Sequence, residues 1–251
     1  MEGILMNFNL AIIIPVLNCV QYTKQLVEQI KEYKDCGIII IDNASTDGTP
    51  AYLGRLAKYK QILTVRNSEN RGVAGAWNKG ICIARNVLNC PYYAILNNDI
   101  ILQNDTLEKM IAVLNQPNIA LSTAFNVNNK TNTPADFFYK KPAKDFELTD
   151  APDFSCFMLK KETIDKIGYF DEKYYPAYFE DNDYHYRIRI AGQRAVKISN
   201  AFFFHYGSQT TKDGKDIKRL SDSRFLLNQE YYIRKWGGKP GKETYKTPFN
   251  K

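Results

Sequence analysis

Apolar runs of strand length alternate with stretches of helical spacing through the first half of the chain, a pattern that predicts repeated strand–helix–strand units and a mainly parallel sheet. Residues 10–15 are apolar throughout, and residues 37–41 include four consecutive isoleucines, as expected of strands covered on both faces. Between them Leu26, Ile30 and Tyr33 recur at helical spacing and predict a helix over 21–33. Further strands are expected at 62–66, 92–96, 119–125, 154–160, 195–198 and 202–205, and helices at 50–58, 74–85, 106–114, 161–167, 181–191 and 222–236. Residues 126–150 turn polar and loop-forming, which predicts an irregular or mobile segment and suggests one that closes over a ligand. Residues 212–218 are charged and expected to be exposed. The reading is one α/β domain over 1–210, Rossmann-like, with a helical and irregular tail over 211–251 packing on it.

In open α/β sheets ligands bind beyond the carboxyl ends of the strands, and polar clusters follow several of these strands. Asp42 follows the second; it either accepts hydrogen bonds from a nucleotide's base or ribose or, with Asn43 and Ser45, only shapes a turn. Asn97-Asn98-Asp99 follows the fourth and offers amide oxygens and one carboxylate, a hard set suited to Mg2+ or Mn2+ shared with phosphate, or else an Asn-rich turn. Arg71, beside Asn70 and Gly72, either meets a phosphate with its fork of donors or lies on the surface. Glu180-Asp181-Asn182-Asp183 opens a helix behind the aromatic run 174–179. Helix capping explains some of these acids, while an aromatic lining for a sugar face beside a carboxylate base explains the combination. His205 ends an aromatic strand, either as a structural histidine or as a metal ligand beside Asp99; His185 reads as structural.

Composition narrows this little. With 251 residues, 44% hydrophobic and 13% aromatic, one substantial core is affordable, and no apolar run is long enough to span a bilayer. The expectation is a cytosolic protein, with peripheral membrane contact as the alternative. Five scattered cysteines without a CxxC pair read as reduced core residues. The net charge of +7 suits anionic ligands, whether nucleotide diphosphates, nucleic acid or lipid head groups. Lys235, Lys239 and Lys242 near Tyr231, Tyr232 and Trp236 either give phosphate and stacking contacts to nucleic acid or pack the aromatics on the core. Pro15-Val16-Leu17-Asn18 occupies the place of a Gly-rich phosphate loop after the first strand, which argues against a nucleotidyltransferase.

In order along residues 10–206, Ile-Ile-Ile-Pro15-Val-Leu-Asn18, Ile-Asp42-Asn43-Ala-Ser-Thr-Asp-Gly-Thr49, Asn70-Arg71-Gly-Val-Ala-Gly-Ala-Trp-Asn78-Lys-Gly80, Leu96-Asn97-Asn98-Asp99 and Phe179-Glu180-Asp181-Asn-Asp-Tyr-His-Tyr-Arg187 resemble the inverting glycosyltransferases of family 2, with the GT-A fold. The resemblance implies transfer from a UDP- or dTDP-sugar, with inversion, to an acceptor hydroxyl on a saccharide or lipid-linked glycan. A modified base in DNA, and a binding protein without transfer activity, are the alternatives. It assigns Asp181 as catalytic base with Glu180 beside it, and puts Pro15, Asn18, Asp42, Asn43, Asn70, Arg71, Asn78, Asn97 and Asn98 on the nucleotide sugar. Mn2+ or Mg2+ falls to Asp99 and His205. Where the family carries the first acid of Asp-x-Asp, this chain has Asn97.

Overall fold

The computed structural model describes residues 8–128, 147–149, 152–207 and 215–250. Most of the segment expected to be irregular, residues 129–146, lies outside the described residues, as does the start of the charged stretch at 212–214.

Strands β1 (Leu10–Val16), β2 (Cys36–Asp42), β3 (Ile62–Arg66) and β4 (Tyr92–Leu96) pair in parallel in the order β3-β2-β1-β4. The sheet continues through β8 (Cys156–Lys160), β6 (Ile119–Asn126) and β9 (Arg194–His205), with β5 (Ile100–Leu102) and the short β7 (Glu147–Leu148) both on β9. Strand β8 is antiparallel to both its neighbours while β6 and β9 are parallel, so β1–β4, β6 and β9 point one way and β5, β7 and β8 the other. The helices are α1 (Val20–Ile30), α2 (Thr49–Gly54), α3 (Gly72–Asn86), α4 (Thr106–Leu114), α5 (Lys161–Ile167), α6 (Glu180–Ile190) and α7 (Lys215–Trp236). None among the described residues is long and apolar enough to cross a membrane.

The unbroken isoleucine runs follow from this layering. Ile12, Ile14, Ile38 and Ile40 pack on one side with Leu26 and Met110, while Ile13, Ile39 and Ile41 pack on the other with Trp77, Ile81 and Tyr184. Alternate residues of a strand face opposite sides, so a sheet with helices on both faces needs apolar residues at every position. Helix α3 approaches β1 so closely that a Cβ on Gly80 would collide with the Ile13 side chain. Pro15 is tolerated in a strand with two neighbours because the ladder to β4 ends at Ile13 and Ile95. Four cysteines are buried and Cys82 is exposed, so the core assignment fails for that one.

Three element boundaries depart from the sequence reading. The strands expected at 195–198 and 202–205 are one strand, β9, because its ladder with β6 resumes after a register shift at Ala124 and Phe125. The helix expected at 50–58 divides into α2 and a 3-10 turn at Arg55–Lys58. Helix α7 starts at Lys215, ahead of the expected 222.

Candidate functional site

The loops leaving β1 and β2 interlock. The Asn18 N–H donates to Ser45 Oγ (2.8 Å), and Asn18 Oδ1 accepts from the N–H groups of Thr46 (2.7 Å) and Asp47 (3.3 Å). Asp47 Oδ2 in turn accepts from the Val20 N–H at the start of α1 (3.0 Å). Asn18 adopts φ 61°, a left-handed conformation that asparagine tolerates. Asn98 Nδ2 donates to Thr23 Oγ1 (3.0 Å), which ties the end of β4 to the same corner.

Asn43 joins the end of β2 to the turn before α3. Its Nδ2 donates to Asn70 Oδ1 (2.8 Å) and the Gly72 carbonyl (3.1 Å), and its Oδ1 accepts from Asn67 Nδ2 and the Arg71 N–H (both 2.9 Å). These bonds use the full capacity of the amide. The resemblance puts Asn43 and Asn78 on the nucleotide sugar; in this structure the Asn43 side chain shapes the turn. The Asn78 amide donates to the Phe170 carbonyl and Glu172 Oε1 and accepts from the Phe170 N–H, all at 2.9 Å, so it clamps α3 to the 170–172 loop. Arg71 is held by its backbone while its side chain is 56% exposed, with Glu69 and Glu172 no nearer than 3.8 and 3.7 Å.

Asp42 is nearly enclosed, and its carboxylate accepts from the Ser45 N–H (2.8 Å) and Arg66 Nη1 (2.6 Å), whose side chain is half exposed. The sequence reading missed Arg66. The signal was the register of two parallel strands that end together, with Asp42 opposite Arg66.

A cleft of about 490 Å3 is lined by Val73, Trp77, Asn97, Asp153, Ala177, Tyr178, Glu180 and Asp181, among others. Its lining brings together the first residue of Asn97-Asn98-Asp99 and the two expected catalytic acids. Burial raises the Asp181 carboxyl above the ordinary carboxylate range, against the opposing bond from the Asn182 N–H (2.7 Å), and the nearby charge of Asp153 adds to the rise. Burial, then the charge of Asp181, pushes Glu180 well above its usual value, and Glu180 Oε2 is enclosed with no hydrogen-bond partner among the described residues. Asp153 was not singled out because an aspartate just before a strand reads as a turn former; it accepts from the Ser155 N–H (2.9 Å).

Asp99 and His205 lie outside that lining but meet each other, with His205 Nε2 3.0 Å from Asp99 Oδ1, because β5 pairs antiparallel with the end of β9 and sets Ile100 opposite His205. Adjacent donors in an octahedron with bonds of about 2.1 Å stand about 3.0 Å apart. The pair therefore fits two neighbouring positions on one divalent ion. No cluster of three or more His, Cys, Asp or Glu side chains suited to a metal occurs among the described residues.

Helix α7 packs against α6 and the segment before it. Trp236 and Tyr232 are fully buried with Tyr174, Phe179 and Tyr186. Lys235 Nζ lies 2.7 Å from Asp171 and 2.6 Å from Asp183. The aromatic and basic residues considered for nucleic-acid contact at Tyr232, Lys235 and Trp236 are thus committed to the interior.

A family model described as glycosyl transferase family 2 matches residues 11–168. The low-salt glycan biosynthesis hexosyltransferase Agl10 of Haloferax volcanii is 22% identical over 166 residues, which cover 60% of this chain and 52% of that protein, so the chain spans about half the length of that relative. Among solved structures, the mannosyltransferase PcManGT from Pyrobaculum calidifontis in complex with GDP-Man and Mn2+ matches with a TM-score of 0.66 at 20% identity, covering 93% of this chain and 66% of that one. S. aureus TarS in complex with UDP-GlcNAc matches at 0.60 and 13% identity, covering 86% and 66%. These likenesses fix the fold as the GT-A arrangement. With its strand-end motifs inside the matched region, the chain belongs to glycosyl transferase family 2.

Proposed function

We propose that this protein transfers a sugar from a nucleotide-diphosphate sugar to an acceptor hydroxyl with inversion at the anomeric carbon. The observation that carries this reading is the cleft whose lining includes both a half-buried carboxylate, Asp181, and Asn97, two residues from Asp99 of the Asp99–His205 pair. Asp181 takes the proton of the acceptor hydroxyl, whose oxygen attacks the anomeric carbon as the bond to the diphosphate breaks. A base with a raised pKa is a better proton acceptor near neutral pH than an ordinary carboxylate. Burial and the charge of Asp181 disfavour a second negative charge on Glu180 beside the proton being moved. Arg71 lines a separate cleft with Arg66 and Lys79, and from there its exposed guanidinium would reach the departing diphosphate to offset its charge. Asp99 and His205 would hold Mn2+ or Mg2+, which supplies Lewis-acid stabilisation of that same charge when bound. Tyr178, exposed at the cleft, gives it an aromatic surface for a sugar face, in keeping with a saccharide or lipid-linked glycan acceptor. The nucleotide sugars held by the two structural relatives support the donor class, with UDP- or dTDP-sugars as this chain's substrates.

The test is release of nucleoside diphosphate from a panel of UDP-, dTDP- and GDP-sugars with Mn2+ and oligosaccharide or lipid-linked acceptors. Asp181→Asn is expected to lower turnover about 100- to 10,000-fold while the donor still raises the melting temperature. Wild-type turnover should fall on acidification while still above pH 4, as Asp181 is protonated. Near-normal turnover in a folded Asp181→Asn would end the assignment.

A further inference from the structure

Asn228 of α7 is only 4% exposed, and its amide nitrogen faces backbone carbonyls. Its Nδ2 lies 2.9 Å from the Ala177 carbonyl, 3.3 Å from that of Tyr178 and 3.4 Å from that of Tyr175. Three carbonyls can only be met by the NH2 end of the side chain, which fixes its orientation. The segment it holds is strained. Tyr178 and Phe179 have φ of 78° and 76°, a region aromatic residues rarely enter, and such strain persists only where the surroundings impose it. On its other side the segment is pinned by the Val73 N–H of α3, which donates to the Pro176 carbonyl (2.8 Å). Phe225, one turn before Asn228, packs its ring 5.4 Å from Tyr178 and 5.2 Å from Phe179. The next residues are Glu180 and Asp181, while Ala177 and Tyr178 themselves line the cleft.

From this geometry we infer that Asn228 is a positioning residue for catalysis: by bridging the 175–178 carbonyls it imposes the left-handed turn that aims Asp181 into the cleft. The inference rests on the reading of Asp181 as the base. It makes α7, which lies outside the family-matched region, part of what completes the site.

The experiment compares Asn228→Asp, which keeps the shape but lacks the N–H donors, with Asn228→Ala and with Phe225→Ala, a milder change at a side chain already 39% exposed. Both Asn228 variants should lose on the order of 100-fold in kcat with donor KM within about twofold of wild type, the size expected when a reacting group moves by about 1 Å. Phe225→Ala should lose less, in the same direction. Hydrogen exchange should quicken at amides 177–183 in all three while β1–β4 keep their protection. Wild-type kcat in Asn228→Asp, or unchanged exchange at 177–183, overturns the inference, and so does a loss of kcat matched by an equal rise in donor KM. If wild-type protein transfers no sugar from any donor, the proposed function fails, and the exchange measurement still decides whether Asn228 holds the turn.

Discussion

Replacing Lys235 with Met tests the interior of this protein at its most charged point. The ammonium is 8% exposed, lies between Asp171 and Asp183, and stands 5.3–5.9 Å from the ring centroids of Tyr174, Tyr231 and Trp236. Removing one partner of a buried ion pair costs about 3–5 kcal/mol, because the other is left buried without compensation. Here the lower end applies. Asp183 keeps Arg187 Nε at 2.9 Å and Trp236 Nε1 at 2.8 Å, and Asp171 keeps the Tyr231 hydroxyl at 2.9 Å and the Lys173 N–H at 3.0 Å. A loss of about 3 kcal/mol at pH 7 corresponds to a fall in Tm on the order of 10 °C for a chain of this size. The pH dependence has a definite sign. Burial alone would raise Asp171, but Lys235, together with the Lys173 N–H and the Tyr231 hydroxyl, outweighs it and holds the carboxyl below its usual value. The stability this gives is complete above the unfolded pKa near 4 and is lost as pH falls through the lower folded value. Without the ammonium the carboxyl titrates higher, so wild type and Lys235→Met converge in stability as pH falls below about 4. Urea unfolding at pH 7 and at about pH 3 measures both quantities, with Glu69→Gln at the loose, exposed Arg71 pair as a control expected to change less than about 1 kcal/mol. A Lys235→Met loss under about 1 kcal/mol at pH 7, or one equally large at both pH values, refutes the reasoning.

Gly80→Ala should destabilise by about 1–3 kcal/mol in thermal or urea unfolding, since its Cβ would force α3 away from Ile13 on the central strand. If Asp99 and His205 bind one ion, Asp99→Ala, His205→Ala and chelation of the wild type should converge on the same loss of turnover, with no further loss when chelator is added to either variant. Activity indifferent to chelator would remove the metal from the account.

The sequence made the strand ends legible because a sheet covered on both faces leaves apolar runs, and the polar residues that interrupt them mark where ligands can sit. Asp42 and Asn97 were singled out that way, and Asp181 by the acids that open a helix behind the aromatic run 174–179. What depended on pairing was not legible. Three residues, Ile100–Leu102, are too few to show a period, yet as β5 they carry Asp99 to His205. Arg66 acquires its part only from the register that sets it opposite Asp42. Asn43 and Asn78 fell inside motif matches, but a motif does not tell whether an amide faces a ligand or closes a turn. The burial of Lys235 could not be read locally, since its two carboxylates lie more than fifty positions away in sequence.

The saturation of Asn43 has a consequence for the energetics of capture at the neighbouring arginine. Because the Arg71 backbone is already fixed through that amide while its guanidinium remains half exposed, an anion that draws the side chain in orders a handful of torsions and no loop. The entropic cost is then about 2 kcal/mol for one long side chain, against about 1–2 kcal/mol for every backbone residue that a floppy turn would have to fix. The arm moves freely because its shoulder is clamped.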